Sequence, residues 1–265
     1  MAAHAARWKL AVSDRSLKLA ASADAVLFAA ELLFDGLQVS VGRNPVGSKL
    51  ALADSDVVDK YKAACKTNKL TISSLFLDVL YDGGFKSAAD RAGIAFIEQA
   101  IPLAALLGAK VLWLPLVGEH KLASTAEIEY AGDALKDLGA AADKAHVTLG
   151  LSTTLPAKDA LQVVDRAKSA RVRVAYDVGL ATQNGHKPAD EIRSIGNRIC
   201  AASLGDAAAY LGAGTVDVPA ALAALAAAEF AGYVELVTGM PSGDPELDAT
   251  KNQTLVRQLM RAGHT

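Results

Sequence analysis

A chain of 265 residues buries a large core without help from disulfides or a structural metal, and its 27 basic and 29 acidic residues nearly cancel to a net charge of −2. No basic stripe recommends nucleic acid or an anionic membrane surface as a partner. The helical apolar stretches are interrupted, Ala95–Ala109 by Glu98, Gln99 and Pro102, and none reaches the roughly 18–20 apolar residues of a membrane span.

In chain order, Met1–Arg7 runs straight into an apparent strand with no cleavable apolar region ahead of it. Short apolar runs, predicted as strands, then alternate with longer helical patterns. The strands fall at Lys9–Ser13, Gly36–Ser40, Thr71–Leu75, Lys110–Leu116, Val147–Ser152, Val172–Asp177, Ile199–Ser203 and Tyr233–Thr238. Helical periodicity covers Ala25–Leu33, Val57–Thr67, Ala88–Leu107, Ala126–Lys144, Ala157–Lys168, Ala189–Ile195, Pro219–Phe230 and Pro245–Arg261. Gly108 and Asn68, each shortly before the next strand, read as helix C-caps. Asp217 before Val218-Pro219 and Asp244 before Pro245 read as N-caps. Cys65 and Cys200 stand far apart without CxxC spacing, which suits a reduced, cytoplasmic protein.

Eight β/α units predict one closed (β/α)8 TIM barrel over residues 1–265 rather than an open doubly wound sheet. The first strand leads into Ser13-Asp14-Arg15-Ser16-Leu17, with neither GxGxxG nor GxxxxGK. Gly212-Ala-Gly-Thr precedes a helix late in the chain and reads as an ordinary loop rather than a phosphate cradle. Trp113, inside a strand, is expected in the core, and Trp8 over the barrel's bottom.

Function in such a barrel lies at the C-terminal strand ends. Phe34-Asp-Gly-Leu-Gln-Val-Ser, Val147-Thr-Leu-Gly-Leu, Tyr176-Asp-Val-Gly, Asp190-Glu-Ile-Arg and the tail Thr238-Gly-Met-Pro-Ser-Gly-Asp-Pro-Glu-Leu-Asp-Ala occur there and between in a telling order. With these pieces the chain resembles, over nearly its whole length, the sugar phosphate isomerase/epimerase branch of the xylose-isomerase-like TIM barrels. The resemblance implies a divalent cation held by Glu, Asp, His and Glu on four successive strands. Such a cation polarises a sugar hydroxyl and carbonyl while the glutamates move the proton at carbon.

Carried across residue by residue, that ligand set is depleted. The first Glu position holds Ser152, the Asp survives as Asp177, the His position holds Ser203 and the last Glu position Val237. One carboxylate cannot be expected to hold Mg²⁺ or Mn²⁺, so no metal and no cofactor is expected unless the ligands align otherwise. Ser152, Thr154, Asp177, Ser203, Val237 and Arg43 are the candidate ligand pocket.

Other residues leave alternatives open. Glu235, two before Val237, faces either the barrel interior, with Arg173 or another cation as a partner, or the helices outside. His120 beside Glu119, together with Asp177, His186 and Asp206, either forms a new metal cluster or stands on solvated loops, and Asp206 lines the pocket or caps the next loop. Asp14, Arg15 and Arg43 on the first two βα loops either meet an anionic or polyhydroxy ligand or are surface charges. No G-x-S-x-G elbow occurs, and neither Ser152, Ser203 nor Cys200 has the company of a nucleophile.

The first expectation is a pseudoenzyme or metal-independent binder of a small sugar- or polyol-like molecule, self-associating or paired with an active relative. The alternatives are metal-free acid/base or lyase-type chemistry centred on Asp177 with Asp206 or His120 assisting, and a metal-dependent isomerase with differently placed ligands.

Overall fold

The computed structural model describes residues 8–262; the N-terminal reading of Met1–Arg7 lies outside the described residues. The strands are β1 (Lys9–Ser13), β2 (Gly36–Ser40), β3 (Thr71–Phe76), β4 (Val111–Leu116), β5 (Thr148–Thr153), β6 (Val172–Asp177), β7 (Ile199–Leu204) and β8 (Tyr233–Leu236). All pair in parallel with their sequence neighbours, and β8 pairs back onto β1, closing the predicted (β/α)8 barrel. The helices are α1 (Asp24–Glu31), α2 (Ser55–Asn68), α3 (Ala92–Leu107), α4 (Thr125–Lys144), α5 (Ala157–Ala167), α6 (Val178–Gln183), α7 (Pro188–Ile195), α8 (Val218–Ala227) and α9 (Pro245–Ala262).

Alternation along the strands sorts side chains into two cores. Leu10, Val12, Leu37, Val39, Leu112, Leu114, Leu149, Leu151, Val234 and Leu236 join the helices in the outer core. Inside the barrel a separate apolar cluster forms from Phe76, Trp113, Ala175 and Ala201. Trp113 is 2% exposed, and Trp8 donates its Nε1–H to the Phe230 carbonyl (2.7 Å) ahead of β8, so both tryptophans lie where expected.

Helix ends follow local chemistry. The Asp217 side chain caps α8 through the Ala220 amide (2.9 Å), and Asp244 accepts from Glu246 and Leu247 at the start of α9. Ser124 and Glu127 form a reciprocal capping box on α4. Gly108 ends α3 in the left-handed region (φ 76°), but α2 ends on Lys69 (φ 53°) rather than on Asn68, whose amide instead bonds back to the Ala64 carbonyl. Residues 88–91, expected in α3, form a turn, with the Asp90 carboxylate holding the Gly84 amide. Among the described residues no helix is long and apolar enough to cross a membrane.

Two register shifts bear on the interior. Leu37 pairs with Ile72 and Gln38 with Ser74, so Ser73 is an extra residue in β3; likewise Cys200 is extra in β7 opposite Val174 and Ala175. A bulge breaks strict alternation and allows successive side chains to reach one side.

Candidate functional site

The bulge in β3 turns both Ser73 and Ser74 onto one carboxylate. Glu235 is 1% exposed and accepts from Ser73 Oγ (2.8 Å), Ser74 Oγ (2.6 Å) and the Gln38 amide nitrogen. It therefore faces the interior. Its partner is not Arg173, which donates to the Asn197 carbonyl before β7. Burial pushes the Glu235 carboxyl up to about 7, against the pull of the two serines, the Arg15 charge and Gln38.

Above this carboxylate lies Arg15, two residues past the end of β1. Its Nε donates to Ser13 Oγ (3.2 Å) and its Nη2 to Gln38 Oε1 (3.1 Å), while Cζ stands 3.6 Å from the centre of the Phe76 ring. Gln38 thus faces a cation with its oxygen and a carboxylate with its nitrogen, which fixes its orientation. Neighbouring Asp14 is fully buried, accepting from the amides of Ala21 and Ser40 and from the Ser40 hydroxyl, each at 2.9 Å. It is no surface charge; it ties the β1 loop to β2.

Asp78 and Tyr81 enter on a single 3-10 turn after β3 (Asp78–Tyr81). Asp78 is 6% exposed, and its Oδ1 has no hydrogen-bond partner among the described residues. Burial pushes its carboxyl up to about 6, opposed by Arg15. The Tyr81 and Phe76 rings lie 6.0 Å apart and Phe76 and Trp113 6.4 Å, giving the mouth one aromatic flank.

The expected ligand positions do end neighbouring strands. Asp177 pairs in register with Ser203, which pairs with Glu235; Val237 continues past β8, its amide on the Leu204 carbonyl. Asp177 Oδ1 accepts the Leu180 amide (2.9 Å) and caps α6. Its carboxyl is raised by burial and drawn back by that amide and by the Arg15 charge. Ser152 and Ser203 are 3% and 1% exposed. Asp177, Gly205, Val237 and Thr238 line a cavity of about 240 Å³ above β6–β8, small for a ligand pocket. Thr154 is half-buried just past β5, away from that lining.

The remaining candidates are occupied separately. His120 Nδ1 lies 3.0 Å from Asp90, and His186 Nδ1 lies 3.3 Å from Glu191, itself bound to Tyr176. Asp206 caps the following loop through the Val216 amide (2.8 Å) and Thr215 (3.4 Å). Arg43 forms a fork with Asp82 (2.6 and 2.8 Å) on the rim, mostly exposed. The cluster of His120, Asp177, His186 and Asp206 is thus not assembled, and among the described residues no three His, Cys, Asp or Glu side chains converge as metal ligands. A hard divalent cation fits poorly here. At the positions that the resemblance assigns to ligands stand two serine hydroxyls, an isopropyl group and one carboxylate, which accepts the Leu180 amide at the start of α6.

The sequence from residue 26 to 259 matches the family described as Xylose isomerase-like TIM barrel. The chain belongs to that family. It matches no curated protein. Among solved structures it is similar to the xylose isomerase domain protein of Planctomyces limnophilus (16% identity, 97% of this chain and 98% of that one, TM-score 0.80). Similar too are the D-allulose 3-epimerase of Methylomonas sp. in complex with D-allulose (16%, 95% and 97%, 0.77) and the 3-keto-D-glucoside 4-epimerase of E. coli (18%, 95% and 99%, 0.76). At such identities the likeness speaks for the fold.

Sequence reasoning missed Gln38, Ser73, Ser74, Asp78 and Tyr81 and left Arg15 undecided. A polar signal was there: Gln38 and the Ser73-Ser74 pair interrupt otherwise apolar strands.

Proposed function

We propose that the C-terminal mouth of this xylose-isomerase-like barrel binds a small, neutral sugar or polyol without a metal ion. The observation that carries this reading is the set at the four expected ligand positions, Ser152, Asp177, Ser203 and Val237, with Asp177 already committed to capping α6. What surrounds it suits a polyhydroxy ligand: a guanidinium, buried serines, an unpartnered carboxylate oxygen and an aromatic flank. The D-allulose held by the Methylomonas epimerase supplies a probe of matching chemistry. Calorimetric titration in EDTA tests the reading. D-allulose or D-fructose is expected to bind with millimolar or better affinity, and binding that appears only after Mn²⁺ is restored refutes it.

A second reading, metal-free proton transfer, has one observation in its favour. Two mouth carboxyls, Asp78 at about 6 and Glu235 at about 7, are held near neutrality, where a side chain exchanges protons most readily. The depth of Glu235 leaves Asp78 the better placed of the two. Incorporation of solvent deuterium into a bound ketose, followed by NMR, would establish this reading; unchanged C–H signals leave a binder.

A further inference from the structure

The mouth contains a cation of the chain's own. Arg15 is anchored by Ser13 on β1, Gln38 on β2 and the face of Phe76 on β3, so its position is set by three strands rather than by its loop. Its charge reaches carboxylates from three further directions: Asp78 on the turn after β3, Asp177 at the end of β6 and Glu235 inside β8. We propose that Arg15 is the group through which this barrel engages the carbonyl and hydroxyl oxygens of its ligand, a fixed guanidinium in the role of a bound divalent ion, and that it selects neutral polyhydroxy carbonyl compounds over phosphorylated or carboxylated ones. This deepens the sugar-or-polyol reading and rests on it.

Donor arithmetic supports the first half. A guanidinium carries five N–H donors in a rigid fork. Ser13 and Gln38 each take one, Phe76 covers a face, and the remaining donors are open to the Tyr81 hydroxyl and to an incoming oxygen. Close enough to feel the Arg15 charge, Asp78 keeps its Oδ1 buried and, among the described residues, without a partner, an acceptor lacking a hydroxyl. Donor and acceptor stand together, as an α-hydroxy ketone requires.

Charge supports the second half. Glu235 answers Arg15 through Gln38, and Asp78 and Asp177 add further acid, while the Arg43 guanidinium is tied to Asp82 on the rim. An incoming phosphate meets an acidic field; a neutral polyol meets matched donors and acceptors. Glu235 and Gln38 are positioning residues in this account, because they hold Arg15 without touching the ligand.

The test has two arms. Titration in EDTA compares D-allulose and D-fructose with D-fructose 6-phosphate. Wild type is expected to bind a free ketose better than the phosphate, and Arg15→Met to lose at least about ten-fold in ketose affinity. Arg15→Lys, which keeps the charge and spares the fold if Arg15→Met does not, should lose a comparable amount because a point charge cannot hold Ser13, Gln38 and ligand together. Glu235→Gln should narrow the preference for free sugar over phosphate, an effect mere loosening of the fold would not produce. Ketose titrations of Arg15→Met or Arg15→Lys that match wild type, or a wild type that prefers the phosphate, overturn the proposal while the sugar reading stands. In the second arm, with no sugar present, Arg15→Ala is melted with millimolar methylguanidinium or Mn²⁺. Stabilisation of the variant but not of wild type is expected. If wild type binds no ketose, the sugar reading and the ligand half of the proposal fall together. The second arm then decides the rest: cation rescue retains Arg15 as the charge that balances the mouth, and its absence removes the proposal entirely.

Discussion

Glu235 is packed among Ser73, Ser74 and Gln38, and its ionisation is linked to stability. Its carboxyl rises from the usual 4.5 to about 7 on folding, so the folded chain binds this proton more tightly than the unfolded one. The stabilisation is full below the unfolded value and is lost as pH climbs to about 7, a window worth roughly 3 kcal/mol. Asp78, at about 6, slopes the same way, whereas exposed carboxylates held low, such as Asp133 beside Arg166, act at more acid pH. Urea unfolding is therefore expected to show a more stable wild type at pH 5 than at pH 8, and Glu235→Gln should remove most of that difference. An unchanged slope in the variant would place the proton elsewhere. That Glu235 faces inward follows from alternation once the register of β8 is known. The company of Ser73 and Ser74 together depends on a bulge, which no periodic reading of Thr71–Leu75 contains.

Among the α-helices of the described residues, α6 is the one that the sequence did not disclose. Its six residues, Val178–Gln183, are too few for helical periodicity to stand out, and its start depends on Asp177, a residue the family resemblance assigns to a metal. Removing the cap tests which description holds. Asp177→Ala should cost about 1 kcal/mol of stability and Asp177→Asn almost nothing, since asparagine caps as well. Equal losses in both variants would mean that the charge, not the cap, matters. Beyond α6 the β7 and β8 loops pack backbone to backbone. A Cβ added at Gly205 would lie 2.2 Å from the Val237 carbonyl oxygen, so Gly205→Ala must displace the rim beside Asp177. A loss of roughly 2 kcal/mol or more in denaturant titration is expected, with weakened ketose binding; a neutral effect would mean that this rim is pliable. Lys69 teaches a related lesson: the left-handed residue ending α2 lies one place beyond the asparagine that composition favours, because Asn68 bonds back into its own helix.

Across the whole molecule, the barrel was legible because parallel strands buried on both faces are short apolar runs, and eight of them recur at regular intervals between helices. Each strand was found within two residues of its expected ends. The interior was far less legible. Gln38 and Glu235 are 197 positions apart and meet only because β8 closes onto β1, and the Arg15 anchor draws on three strands at once. Local pattern contains no trace of such contacts. The substitute candidates His120 and Asp206 proved to be engaged elsewhere, His120 with Asp90 and Asp206 with its own loop, while the polar heart of the mouth formed from unremarked serines and a glutamine.

The central claim is that this mouth functions without a metal, and metal content tests it most directly. Protein purified without chelator is analysed for elements and then melted with Mg²⁺, Mn²⁺, Zn²⁺ and Co²⁺ in turn. Far less than one equivalent of any of these ions is expected, with no concentration-dependent stabilisation of the wild type. Near-stoichiometric metal, with a Mn²⁺-dependent rise in melting temperature that Asp177→Ala abolishes, would contradict the claim and restore a metal-dependent isomerase.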